Sequence, residues 1–369
     1  MKKVLLASTA IVAAAALVSP AIAADKIKLS LGGGMEQYIG FADNEDDAGV
    51  REFATFDTQQ STEVYFRGST TLDNGIKLSV DIQLEGDAVA TTVDESYLNI
   101  QTAWGSVRIG QDDAMSDNMA VEPSRGISGN HDNWIRNAGV NEALGDDTYS
   151  TGASGDNNQI HYMSPSIAGF QAGVSYTPEM VSQGGGGATP NRVTADGSSA
   201  LAAGLNWGGS FSDVGIDLGY VFYTQGGDGA ATVGGLHGHH AGLKVSVAGF
   251  GAGVSYGKQE GESGLGVGGS GSSDDGWQYK AGIWYSSGPM AVGFYHQHGE
   301  TEQAATAAGG AATKSDETTV NSVWFDYTTS EGVKWRSMVF NTDMDSPGTA
   351  DAAFTDGGWG VVGGLALSF

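Results

Sequence analysis

The chain has 369 residues, among them 59 Gly, 7 Pro and no Cys, and it sets 43 acidic against 17 basic residues for a formal charge of −26. Gly at more than twice the usual ~7 % argues against a helical bundle, since each Gly in a helix interior costs roughly 0.8–1 kcal/mol relative to Ala, and no Gly-X-Y period points to collagen. A 40 % hydrophobic content excludes a wholly disordered acidic chain, the charge excludes a nucleic-acid binder with a basic face, and the lack of Cys excludes a disulfide scaffold and thiolate metal sites.

The chain opens on Met1-Lys2-Lys3, followed by an apolar run from Val4 to Val18. Ser19-Pro20 ends the run, and Ala21-Ile22-Ala23 has the small-residue pattern of a cleavage site. The run is short of the roughly 20 residues a membrane helix needs. Residues 1–23 therefore read as a cleaved secretory signal peptide, and 24–369 as one domain. Loss of Lys2 and Lys3 leaves 15 basic against 43 acidic residues, or −28.

From there the chain has a two-residue period. Val64, Phe66 and Gly68 alternate with Tyr65 and Arg67. Ile76, Leu78, Val80, Ile82 and Leu84 share one face of an amphipathic strand, opposite Lys77, Ser79, Asp81, Gln83 and Glu85. Leu98, Ile100 and Trp104 follow, then Val107 and Ile109 flanking Arg108. Phe170 to Tyr176, Val214 to Phe222, Leu243 to Val247 and Val333 to Val339 continue the alternation. The last segment places Trp359, Val361, Leu365, Leu367 and Phe369 on one face.

Short turns are expected at Asp73-Asn74-Gly75, Gly105, Ser164-Pro165-Ser166, Gly208-Gly209, Ala248-Gly249, Ser286-Ser287-Gly288 and Thr329 to Gly332. Long polar or Gly-rich connections are expected over 42–60, 87–91, 113–157, 178–198, 225–237, 260–275, 299–316 and 342–357. Seven short and eight long connections join sixteen strands. A soluble sandwich would bury the charges and small residues of the polar faces. Short turns at one end and long loops at the other is the pattern of an outer-membrane barrel, which must close because lipid satisfies no backbone polar group. The expected fold is an all-β, 16-stranded antiparallel transmembrane β-barrel with short periplasmic turns and long external loops. Aromatics near strand ends, such as Trp104, Tyr162, Trp207, Tyr285 and Trp335, fit interfacial girdles.

The chain resembles the general diffusion porins of Gram-negative bacteria, nearest to those of α-proteobacteria. The resemblance rests on the signal, Thr71-Leu72-Asp73-Asn74-Gly75-Ile76-Lys77, Gly105-Ser106-Val107-Arg108-Ile109-Gly110-Gln111 and the terminal Leu365-Ala366-Leu367-Ser368-Phe369. It implies a homotrimer in the outer membrane, each barrel with its own water-filled pore for small hydrophilic solutes and ions. It also implies a third external loop folded into that pore, and a terminal aromatic, Phe369, that the barrel-assembly machinery reads. The chain lacks the Pro-Glu-Phe-Gly element of enteric porins, so the fold of the loop tip does not carry over.

By parity Lys28, Arg67, Lys77, Arg108, Lys244, Lys280, Lys334 and Arg336 point away from lipid, where a charge at the midplane costs about 2–4 kcal/mol. They read either as a basic wall of the constriction or as partners of lumen carboxylates such as Glu63, Asp81, Glu85 and Asp326. The third loop, 113–157, supplies opposing acids, among which Asp113, Asp117, Glu122 and Asp132, with Asp112 at its root, are the candidates for the constriction. The expected selectivity is moderately cationic.

No cofactor is expected beyond a structural calcium ion, for which Asp46-Asp47, Asp112-Asp113 and Asp146-Asp147 offer hard oxygen ligands. His237, His239 and His240 read as solvated rather than metal-bound. No nucleophile-base-orienter set is visible, so the chain does not read as an enzyme. The rival readings are a substrate-specific outer-membrane channel and a barrel enzyme or adhesin with a closed lumen. The expected partners are solutes, ions, outer-membrane lipids and other copies of the chain, and no nucleic acid.

Overall fold

A computed structural model describes residues 26–44, 55–86, 93–127, 157–178, 198–227, 236–261, 275–302, 315–346 and 354–369. The leader 1–23, Asp132 and the pairs Asp46-Asp47 and Asp146-Asp147 lie outside these residues. The strands are β1 (Lys28–Asn44), β2 (Phe56–Thr71), β3 (Lys77–Glu85), β4 (Val93–Thr102), β5 (Gly105–Asp112), β6 (Asn157–Met163), β7 (Phe170–Thr177) and β8 (Ser198–Phe211). They continue as β9 (Val214–Gly227), β10 (Leu236–Val247), β11 (Phe250–Gly261), β12 (Gly276–Ser287), β13 (Met290–Glu302), β14 (Ser315–Ser330), β15 (Val333–Ser346) and β16 (Phe354–Ser368). A single helical turn, α1 (Met115–Asn118), follows β5.

Each strand pairs antiparallel with the next, and β1 pairs with β16, so the sheet closes into a sixteen-stranded barrel. At the seam Gly33 and Phe369 exchange backbone hydrogen bonds of 2.9 and 3.0 Å. The alternation that builds the strands also sorts their faces. Leu29 (72 % exposed), Ile82, Leu205, Ile283 and Val323 stand out from the wall. A soluble monomer rarely exposes such a continuous apolar surface; a bilayer covers it. Two aromatic belts border the apolar band. Trp104 stacks on Tyr162 at 5.9 Å and Phe250 lies 4.5 Å from Tyr285 at the short-turn rim. Phe41 with Phe56, and Tyr256 with Trp277, mark the other rim.

The boundaries depart from the sequence reading in two main ways. Gly208-Gly209 is not a turn. The β8–β9 ladder runs through Gly208 opposite Asp217 and ends with Phe211 opposite Val214. The turn is Ser212-Asp213, with Ser212 at φ 55°, the positive φ that a two-residue hairpin matching the strand twist requires. Glycines remove side chains from the pattern without breaking the backbone ladder. Strands also reach further into the long connections than their apolar residues do. β15 extends to Ser346 and β2 begins at Phe56, because ladder hydrogen bonds continue above the bilayer whatever the side chains.

Candidate functional site

The interior of the barrel holds the chemistry. Beyond Asp112 the chain turns inward. Met115 N donates to Ser175 Oγ of β7 at 2.9 Å, and the Gln159 amide of β6 donates to the Asp112 carbonyl. α1 then lays Met115 and Met119 against Ala200, Ala202, Val221 and Tyr223. Asn206 Nδ2 donates to the Met119 carbonyl at 3.2 Å. Further along, Val121 sits over Gly219 and Gly242, and Pro123 over Gly253 and Gly282. A Cβ on Gly219 would stand 2.6 Å from Val121 Cγ2, so bare backbone on β9 to β12 makes the bed in which the segment lies.

Two polar clamps hold it there. Lys280 Nζ donates to Glu122 Oε1 at 2.9 Å, with His240 Nε2 3.6 Å from the same oxygen. Lys280 is 1 % exposed. At the far end the Arg336 guanidinium donates to the Gly126 carbonyl, and Ile127 is buried with Tyr38, Trp324, Met338 and Phe340. Every wall residue in these contacts has the parity opposite to the lipid-facing residues. Residues 113–127 therefore run inside the barrel, along the wall from β7 to β15. Asp113 and Asp117 lie in the first part of this path; Asp113 N donates to Asp112 Oδ1 at 3.1 Å, and Ser116 Oγ to Asp117 Oδ2 at 3.4 Å.

The basic candidates all stand on the inner face, and, besides Lys280, four form ion pairs with carboxylates. Arg67 Nε is 2.7 Å from Asp81 Oδ2, and its guanidinium lies 4.4 Å from the centre of the Tyr65 ring. Arg108 Nη1 is 2.9 Å from Asp112 Oδ2, with the Tyr97 ring 4.8 Å away. Arg336 contacts Glu36 at 3.1 Å and Asp326 at 3.4 Å. Lys334 Nζ stands 3.9 Å from Asp326. Lys28 and Lys77 are exposed on the inner face near the short-turn rim. Arg67 is half exposed, with 52 % of its side chain open, so its pairing with Asp81 leaves the guanidinium accessible to the lumen. Among the described residues no group of three His, Asp or Glu is placed to hold a metal ion.

A family model described as Gram-negative porin matches residues 7–345. The chain belongs to the Gram-negative porin family. No curated protein sequence matches it. Outer-membrane expressed OmpT of Vibrio cholerae is similar in structure at 12 % identity, covering 95 % of this chain and 100 % of that chain with a TM-score of 0.59. A porin structure refined at 1.8 Å matches at 13 % identity, 93 % and 100 % coverage and a TM-score of 0.59. A mutant of the Rh. blastica porin matches at 17 % identity, 93 % and 100 % coverage and a TM-score of 0.56. At such identities the likeness is one of fold. Together with the closed barrel, the family makes this an outer-membrane porin channel.

Sequence reasoning named Glu122 and, by parity, an inward Lys280, but not that the two pair. Lys280 is the lone cation of β12, at an inward position, and that isolation is the signal that marks it. The Ser175, Asn206 and Gly126 contacts had none, since each joins residues 60, 87 or 210 apart. Phe369 of this porin is 69 % exposed at the seam, its ring near Gly33.

Proposed function

We propose that this porin conducts small hydrophilic solutes and ions passively across the outer membrane as a homotrimer, with moderate cation selectivity and no catalytic step. The observation that carries this reading is the charged inner face alongside residues 113–127. The segment fills the β7 to β15 side of the lumen, while Arg67, Lys28 and Lys77 stay exposed on β1 to β3. A low-dielectric wall focuses the field of such charges and sets local ion concentrations. The acids of the external connections favour cations at the mouth, and the arginines oppose them further in.

A substrate-specific channel would need a run of aromatic planes along the passage. The inward Tyr38, Tyr223, Tyr295, Trp324 and Phe340 are instead buried, and the partly open Tyr65, Tyr97 and Trp284 are too scattered to make such a run, which favours the general channel. The homotrimer is supported by the trimer form of the similar Vibrio cholerae OmpT. The decisive experiment is a planar-bilayer recording. Stepwise current with a cation-selective reversal potential at about 0.1 M salt, weakening as the Debye length falls from ~10 to ~3 Å near 1 M, is the expected result. Silence in the bilayer would favour a closed-lumen barrel; anion preference at low salt would refute the selectivity.

A further inference from the structure

A recess of about 330 Å³ opens from the lumen into the inner face of β1 to β5, with none of residues 113–127 in its lining. Short side chains make it. Ser69 of β2 lies opposite Ser79 of β3, Ser79 opposite Asn99 of β4, and Asn99 opposite Arg108 of β5. Two hydroxyls and an amide thus form a low floor in one cross-strand row. Cations border this floor on three sides. Arg108 ends the row. Arg67 stands two residues from Ser69 along β2, and Lys77 two residues from Ser79 along β3, on the other side of the row. Residues two apart on one face of a strand are about 7 Å apart, so the cations surround a space of the size of one small ion.

The two guanidinium groups are fixed, each over a tyrosine ring, Arg67 on Tyr65 and Arg108 on Tyr97. Arg67 pairs with Asp81 through Nε, and Arg108 pairs through Nη1 with Asp112, which is outside the lining. A guanidinium carries five N–H donors, so donors remain on both for a ligand, and Lys77 is exposed to the lumen. Three cations against the single carboxylate of Asp81 leave the lining positive by two, which matches an oxyanion carrying two negative charges. Asp81 then selects among oxyanions. Arg67 holds its Oδ2, while its buried Oδ1 has no hydrogen-bond partner among the described residues, and Asn99 Oδ1 is in the same condition. Buried acceptors left without a donor are costly, and a ligand that brings an O–H group restores the bond. Phosphate keeps a proton at neutral pH; sulfate and chloride keep none.

We propose that this recess is a binding subsite for inorganic phosphate on the ion path. As a station for a passing solute it rests on the channel reading above. Arg67, Lys77 and Arg108 bind the phosphate oxygens, as charge-assisted donors do best, and the Ser69 and Ser79 hydroxyls donate from the floor. The phosphate O–H donates to Asp81. The Arg67 side chain is 52 % exposed and that of Arg108 31 %, so water competes at the site and the ion is held weakly enough to leave, as conduction requires. A bound dianion cancels the two positive charges of the lining. Occupancy therefore removes the local opposition to cations and sharpens the cation preference of the rest of the passage.

The test has two arms, both on the folded full-length porin. In detergent, calorimetric titration with potassium phosphate is expected to give saturable binding with a Kd of about 1 mM at low salt, and potassium sulfate at equal ionic strength a Kd about tenfold higher. Lys77→Gln is expected to weaken phosphate about tenfold. Asp81→Asn is expected to bring sulfate within about twofold of phosphate, whereas a merely structural Asp81 would leave their ratio unchanged. Heat-modifiable mobility reports that the variants fold, and the native comparison with Lys77→Gln decides the matter if Asp81→Asn does not. In planar bilayers, phosphate at about ten times its Kd in 0.1 M KCl is expected to shift the reversal potential further toward cations, and equal sulfate to shift it less. No saturable phosphate binding, sulfate bound as tightly as phosphate, or binding unchanged in Lys77→Gln would overturn the proposal while leaving the channel reading intact. Phosphate bound in detergent by a protein that passes no current would overturn the channel reading and leave the site.

Discussion

Arg67 and Arg108 each combine a carboxylate partner with a tyrosine ring beneath the guanidinium, so their charges are fixed in place rather than swept through the lumen. A unit charge about 6 Å from a passing ion in water contributes ~0.7 kcal/mol. Replacing both residues, Arg67→Ala with Arg108→Ala, is expected to raise the cation-to-anion permeability ratio about threefold at 0.1 M salt, and reversal potentials in a salt gradient measure it. An unchanged ratio would place these arginines away from the ion path. Lys280 calls for a different test, because it is buried against Glu122. Breaking a buried pair by removing one partner costs about 3–5 kcal/mol; the partial exposure of Glu122 lowers this. Lys280→Met is expected to release the inner segment, raising single-channel conductance and speeding the entry of larger sugars in liposome-swelling assays. Adding Glu122→Gln should return part of the change, since no buried carboxylate is then left without its cation. Parity alone told which way Arg67, Arg108, Lys280 and Arg336 point. It carried nothing about what they touch, because partners such as Glu122 and Lys280 are 158 residues apart.

Among the elements, β16 carries the sharpest consequence. Its alternation ends on Phe369, whose backbone N and O close the seam with Gly33. A Cβ on Gly33 would stand 2.8 Å from Phe369 Cζ, so the ring and the bare glycine fit one another. Deleting Phe369 removes both seam hydrogen bonds and the last outward aromatic. The expected outcome is a fall in folded oligomer in the outer membrane, read as loss of the heat-modifiable band on semi-native gels. Normal mobility and normal surface amounts would remove Phe369 from assembly. The strands themselves were legible, because a period of two over nine or more residues, as in β3, survives single interruptions. The hairpin at Ser212-Asp213 was not, because Gly208 and Gly209 imitate a turn while their backbone continues the ladder. The path of residues 113–127 was illegible for another reason. Met115 and Met119 share one helical spacing of four, but Val121 and Ile127 continue no helical or strand period; their order makes sense only against the curved wall they touch.

At the scale of the whole molecule, the outward side chains Ile27, Leu29 and Leu31 of the first strand segment stand beside the seam with β16. Burying them between barrels gives a homotrimer a continuous apolar contact, worth about 25 cal/mol per Å² removed from competing surroundings in water and less in lipid. The expected particle is a trimer that withstands mild detergent and dissociates on heating. Light scattering corrected for bound detergent checks it, and a monodisperse monomer would refute it. The segment from Met115 to Ile127 gives this assembly a mechanical property. It is anchored on β7 through Ser175 and on β15 through Arg336 and lies against the wall between them, and so acts as a strap along the inside of a thin-walled tube. A tube tied in this way resists flattening when the surrounding bilayer squeezes it. Conductance of the intact porin is therefore expected to stay constant across lipids of different chain length and lateral pressure, and to become lipid-dependent once Lys280→Met loosens the strap.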